Sequence, residues 1–113
     1  MLRGMHGEPL KGHLDTMLLA ALRNGPTHGY ALVRLLEQRS GGVFVLGEGT
    51  IYPALRRLER AGLLRSGESL VDGRTRRTYG LTPAGEEALT EQEHDWARFA
   101  RGMTALLGRE ATT

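Results

Sequence analysis

The chain has 113 residues, 40% of them hydrophobic, which suits one domain with a modest core. It holds no cysteine, which excludes a disulfide framework or thiolate zinc site and makes the reducing cytoplasm the expected compartment. The formal charge is +2, the first ten residues lack a signal-peptide h-region, and no run nears the roughly 18 apolar residues of a membrane span, so a soluble chain away from membranes is expected.

Residues 1–9 read as a tail. Leu14, Met17, Leu18, Ala21 and Leu22 recur at i, i+3, i+4, i+7 and i+8, the stripe of an amphipathic helix whose start falls near Pro9 or Leu10. Asn24-Gly25-Pro26 stops it. Thr27 is suited to cap a second helix, with either Tyr30, Val33 and Leu36 or Leu32, Leu35 and Leu36 on its core face, ended by Ser40-Gly41-Gly42. Val43 to Leu46 is a short apolar connector. A third helix turns Ile51, Leu55 and Leu58 inward and has Gly62 as its C-cap. Thr50 as N-cap puts Pro53 at the third helical position, whereas a start at Gly47 costs a backbone hydrogen bond.

Leu63 to Leu70 and Arg74 to Leu81 read as two strands joined around Val71-Asp72-Gly73, and Asp-Gly suits the positive φ angles of a type I′ turn. Thr82 as N-cap, Pro83 at the first helical position and Glu86 and Glu87 in the early turns start a last helix. It runs to Leu107, about 37 Å at 1.5 Å per residue. The fold expected is mostly α with a two-stranded β-hairpin. It is a winged helix-turn-helix over residues 10–81 plus a long C-terminal helix over 82–108, with a tail at 109–113.

Charge divides unevenly along this frame. Thr50 to Tyr79 carries seven arginines (Arg56, Arg57, Arg60, Arg65, Arg74, Arg76 and Arg77) against Glu59, Glu68 and Asp72, a balance of +4. Gly80 to Thr113 carries three arginines against six acids, a balance of −3. Such segregation is what attachment to a polyanion predicts, and arginine's planar fork suits phosphate and guanine. On the third helix, Thr50, Tyr52, Pro53, Arg56, Arg57 and Arg60 lie away from the apolar stripe, on the face a major groove would meet. An ordinary solvated basic face, or Tyr52 as a core aromatic, is the plainer reading of that helix alone. The hairpin tips the balance: strand alternation puts Arg74 and Arg76 on one face with Thr78, and Arg77 with Tyr79 on the other. His28 and Tyr30 stand where a second-helix N-terminus would meet a phosphate, though Tyr30 suits packing equally well.

On the last helix, Leu89, Trp96 and Met103 are seven apart, as are Gln92, Phe99 and Leu106, forming an a/d seam. A long helix after a complete small domain has little of its own to pack against, so the seam, with Leu14, Met17 and Leu18 of helix one, is expected to form a twofold homodimer interface. Trp96, with Phe99, has two readings: a buried interface aromatic, or the wall of a pocket for a small planar effector. Enzyme readings fail, because the four histidines show no HExxH spacing and there is no GxSxG or glycine-rich phosphate loop. No cofactor is expected; a metal effector site using His94 with Glu91 or Asp95 is the remote exception.

Five collinear pieces carry a family likeness: Gly25-Pro26-Thr27-His28-Gly29-Tyr30, Gly49-Thr50-Ile51-Tyr52-Pro53-Ala54-Leu55, Arg57-Leu58-Glu59-Arg60-Ala61-Gly62-Leu63, Asp72-Gly73-Arg74-Thr75-Arg76-Arg77-Thr78-Tyr79 and Leu81-Thr82-Pro83-Ala84-Gly85. Across Leu14 to Leu107 the chain resembles the PadR family of bacterial transcriptional regulators, in particular its short members with one C-terminal helix. The resemblance implies a homodimer that represses promoters and is released by phenolic, drug-like or other small effectors. It places Thr50, Tyr52 and Arg56 in the recognition helix, Arg74, Arg76 and Arg77 in the wing, and Trp96 where some members stack aromatic ligands between subunits. The chain departs from the family at Gly47-Glu48, where a serine-proline-like helix start is commoner. The function expected is sequence-specific regulation on double-stranded DNA, as a homodimeric repressor on a palindromic operator. The alternative is a winged-helix adaptor that binds an acidic protein and no DNA.

Overall fold

The structure is a computed structural model and describes residues 12–108. The elements are α1 (Leu14–Ala21), β1 (Thr27–His28), α2 (Gly29–Arg39), α3 (Glu48–Arg60), β2 (Leu64–Val71), β3 (Arg74–Leu81) and α4 (Pro83–Leu107). One apolar cluster joins them, built on Leu18, Leu19 and Leu22 of α1 and its turn, Leu32 and Leu36 of α2, and Ile51, Leu55 and Leu58 of α3.

α1 begins at Leu14, later than its stripe suggests; Pro9 and Leu10 lie outside the described residues, and Gly12 and His13 form a turn. The His13 carbonyl accepts the Met17 N–H at 3.1 Å and closes the first helical turn. Leu19, off the stripe, is fully buried because this short helix touches α2, α3 and α4 at once. Leu14 and Met17 are only partly covered.

The sheet has three strands in the order β1-β3-β2, all antiparallel, where a two-stranded hairpin was expected. Thr27 and His28 pair with Tyr79 and Thr78, covering an edge of β3 that would otherwise be open. With Thr27 drawn into the strand, the cap of α2 passes to His28, whose Nδ1 accepts the Ala31 N–H at 3.3 Å. Leu32 and Leu36 face the core, and Tyr30 stays 46% exposed.

α3 starts at Glu48 with Gly47 as N-cap, three residues before the Thr50 cap that proline economy favours. The Gly47 carbonyl accepts the N–H groups of both Thr50 and Ile51 at 3.1 Å. Pro53 then leaves the Gly49 carbonyl without its helical donor, but both residues are exposed, so water can satisfy it. The wing follows expectation: Val71 pairs with Arg74 across a two-residue loop, with φ 52° at Asp72 and 75° at Gly73.

Thr82 ties α4 to the corner between α3 and β2. Its Oγ1 accepts the Gly85 N–H at 3.0 Å and donates to the Gly62 carbonyl at 2.7 Å, while its own N–H donates to Leu63 at 3.1 Å. Leu89 is buried in the core, Thr16 Oγ1 donates to Gln92 Oε1 at 2.5 Å, and Arg23 meets Glu93 at 2.6 Å. The first half of α4 therefore has its partner within the protomer, and the expectation of an unpartnered helix applies only beyond Trp96. The described residues extend 51 × 34 × 25 Å with a radius of gyration of 15.3 Å. A compact chain of this size would give roughly 13 Å, and the projecting α4 and wing account for the excess.

Candidate nucleic-acid interface

Ile51, Ala54, Leu55 and Leu58 bury one face of α3. At 100° per residue, Gly49, Pro53, Arg56 and Arg60 line the opposite face, and all four are exposed. Thr50 and Arg57 form the flank toward α1, where Arg57 Nη2 donates to Asp15 Oδ1 at 2.5 Å. Arg57 is thus held in place, while no ion pair engages Arg56 or Arg60 among the described residues.

Tyr52 and Glu48 form the other flank. Tyr52 is half-buried, packed against the start of α2 so closely that a Cβ on Gly29 would lie 2.4 Å from its ring. Burial holds its phenol pKa above the ordinary 10.0, helped by the nearby Glu48 carboxylate and by Tyr79; the Arg76 guanidinium acts in the opposite sense. Tyr52 is neither a free base-reading side chain nor a core aromatic. It is the post at which α2, α3 and the wing root meet.

The hairpin register decides the wing's faces. Arg65, Ser69 and Val71 stand beside Gly80, Arg76 and Arg74, so Arg65, Arg74 and Arg76 share one face with Thr78. Arg77 lies on the other face with Tyr79, as expected, and its Nη1 donates to Ser66 Oγ at 2.8 Å, which in turn donates to Glu59 Oε2 at 2.6 Å. That relay fastens the wing to α3. Arg65 was missed as a wing residue, although counting the alternation back through the Asp72-Gly73 turn would have placed it.

At the start of α2, the His28 and Tyr30 rings lie parallel, 3° apart in plane and 6.5 Å between centroids. His28 pairs with Thr78 of β3 and Gly29 packs on the Tyr52 ring, so the start of α2 lies against both α3 and the root of the wing.

A second surface lies on α4. Trp96 is 53% exposed, Phe99 55%, Met103 39%, Leu106 85% and Leu107 66%, an apolar stripe along the free half of the helix. Leu107 was missed, being off the seven-residue spacing. Leu18 and Leu89, expected at a dimer interface, are instead buried inside the protomer and offer a partner no surface. The Trp96 ring stacks on Phe99 at 5.6 Å and meets His13 edge-on at 5.6 Å. It closes one side of a cavity of about 650 Å³ between α1, the end of α2 and the connector, walled by Met17, Leu36 and Phe44 with Arg39 at its margin. Among the described residues no group of three or more His, Cys, Asp or Glu is placed to hold a metal, and no helix is long and apolar enough to cross a membrane.

Three helices, with a short strand between the first two, followed by a two-stranded wing are a winged helix-turn-helix. Residues 18–91 match the Transcriptional regulator PadR-like family, well over half of the sequence, and the chain belongs to that family. It is 45% identical over 74 residues to Transcriptional regulator Rv3488 of Mycobacterium tuberculosis, covering 66% of each chain. It is also 45% identical over 84 residues to a 37.1 kDa protein in transposon TN4556 of Streptomyces fradiae, where it covers 74% of this chain but 23% of that one. Among solved structures, a PadR-like transcriptional regulator from Bacillus cereus is 30% identical with a TM-score of 0.80, covering 92% of this chain and all (100%) of the other. PadR of Bacillus subtilis, solved in complex with operator DNA, is 26% identical with a TM-score of 0.63 over 75% of this chain and 46% of that one.

Proposed function

We propose that this transcriptional regulator is a homodimeric repressor of a palindromic operator, with α3 in the major groove and the wing on the flanking backbone. The observation that carries the reading is that Arg65, Arg74 and Arg76 share one wing face while Arg56 and Arg60 stand exposed on α3, to which the wing is fastened through Arg77, Ser66 and Glu59. Two basic surfaces locked in fixed relation suit a duplex, whose phosphates take charge-assisted contacts while a helix reads base edges. The complex of the Bacillus subtilis relative with operator DNA supports it. In this reading Thr50, Pro53, Arg56 and Arg60 face the groove, Arg57 makes a phosphate contact oriented by Asp15, and His28 and Tyr30 approach the backbone at the start of α2. Residues 10–81 form the DNA-binding part, and the helix within 82–108 dimerises through Trp96, Phe99, Met103 and Leu106, aided by Leu14 and Met17. A twofold dimer sets half-sites a helical turn or a multiple of one apart.

A duplex of the gene's own upstream region, compared with an unrelated duplex in moderate salt, tests the core of this reading. Arg74→Ala combined with Arg76→Ala is expected to weaken binding to every sequence and to reduce the salt slope by roughly 2, since each phosphate contact releases counterions. An unchanged slope rules out wing contact with phosphate. Failure to bind either duplex supports the acidic-protein adaptor instead. The effector half of the reading rests on the cavity beside Trp96: planar aromatic compounds should quench the tryptophan and release the operator, and Trp96→Ala should lose the response.

A further inference from the structure

Glu48 sits alone at the leading tip of α3. It is the first helical residue, exposed, and flanked by Gly47 and Gly49, where a Cβ would meet nothing within 4 Å. Neither glycine has a positive φ and neither Cβ would clash, so sterics within the protomer require glycine at neither position. The bare backbone leaves room for a partner's surface to come close on both sides of the carboxylate. Among the described residues Glu48 is in no ion pair; its neighbour is the Tyr52 hydroxyl one turn on, whose ring is lodged against Gly29.

A carboxylate at the tip of an element that enters a polyanion is repelled by every phosphate, so it cannot serve as a general affinity contact. It accepts hydrogen bonds only. In the major groove guanine shows two acceptors, thymine an acceptor and a methyl group, and adenine a donor beside the acceptor N7; cytosine alone presents a donor with no acceptor on its own edge. We propose that Glu48 is a specificity-determining residue that selects cytosine in each half-site by accepting from the N4 amino group. This rests on the DNA-binding reading above and adds to it the base that the tip of α3 requires.

The test is selection from a randomised duplex pool by the purified full chain, as wild type, Glu48→Gln and Glu48→Ala. The wild type should enrich one symmetry-related cytosine about tenfold. Glu48→Gln should move that preference to adenine, which pairs with an amide through N6 and N7, and Glu48→Ala should abolish it, with the other positions unchanged. A loss of affinity spread over all sequences, or unchanged preferences at every position in both Glu48 variants, overturns the proposal while leaving DNA binding standing. A wild type that selects no sequence at all overturns the DNA-binding reading and this inference with it. Because Glu48 is exposed, both variants should stay folded, their thermal midpoint lowered by no more than about a few degrees through loss of the first-turn carboxylate.

Discussion

Replacing Gly85 by alanine sets helix propensity against packing. Propensity alone favours alanine in α4 by about 1 kcal/mol. In the fold, the added Cβ would lie 2.1 Å from the Leu63 carbonyl oxygen, 3.1 Å from its carbon and 3.4 Å from Leu81 Cδ2. Leu63 belongs to the corner between α3 and β2, and its carbonyl already accepts the Thr82 N–H at 3.1 Å, so relief requires α4 itself to shift by more than an ångström. That shift breaks the Thr82–Leu63 bond, worth about 1 kcal/mol. It also loosens the Thr82 cap on the Gly85 N–H, worth about another 1 kcal/mol. Residual crowding adds about 2 kcal/mol. Set against the propensity gain, the net loss expected is about 3 kcal/mol. Urea unfolding at matched protein concentration measures it, since any dimer makes stability concentration-dependent. A variant as stable as wild type, or stabilised as propensity predicts, would refute the close approach of α4 to Leu63.

Gly29→Ala should force the Tyr52 ring out of its seat, because the Cβ would lie 2.4 Å from Tyr52 Cε1. It should cost about 1–3 kcal/mol in a thermal melt. Phe99→Asp with Leu106→Asp should convert a dimer to a 12.4 kDa monomer in sedimentation with little loss of protomer stability, since Leu89 and the core are untouched. A persisting dimer would move the interface away from the free half of α4. Tyr52 has a folded pKa above 10.0, so the fold favours its neutral phenol. Its contribution is complete below the unfolded value and lost as pH rises through the folded one. Tyr52→Phe should therefore show a shallower alkaline loss of stability than wild type in urea unfolding on either side of pH 10.0.

The features legible in the chain are those governed by neighbours a few residues apart. The Asp72-Gly73 turn, the Thr82-Pro83 helix start, the stripe Ile51-Leu55-Leu58 and the split of Arg74 and Arg76 from Arg77 all follow from local backbone preference and period, and all four stand in the fold. What the chain alone does not reveal depends on partners far along it. Thr27 becomes a strand because β3 arrives some fifty residues later to pair with it, and the cap of α2 then falls to His28. An apolar stripe does not say which of its residues will be covered from within, so Leu18 and Leu89 enter the core while Phe99 and Leu106 stay outside. Charge counting likewise treats all seven arginines alike, but Asp15 claims Arg57 and Ser66 claims Arg77. The start of α3 is the clearest case. Proline economy favours Thr50, but the Gly47 carbonyl takes two N–H groups and the freed Gly49 carbonyl faces water, so the helix begins earlier and carries Glu48 to its tip. Local chemistry determines that this chain has a third amphipathic helix and a wing; only tertiary contact decides which side chains they present, because burial and pairing are set by residues the local pattern cannot see.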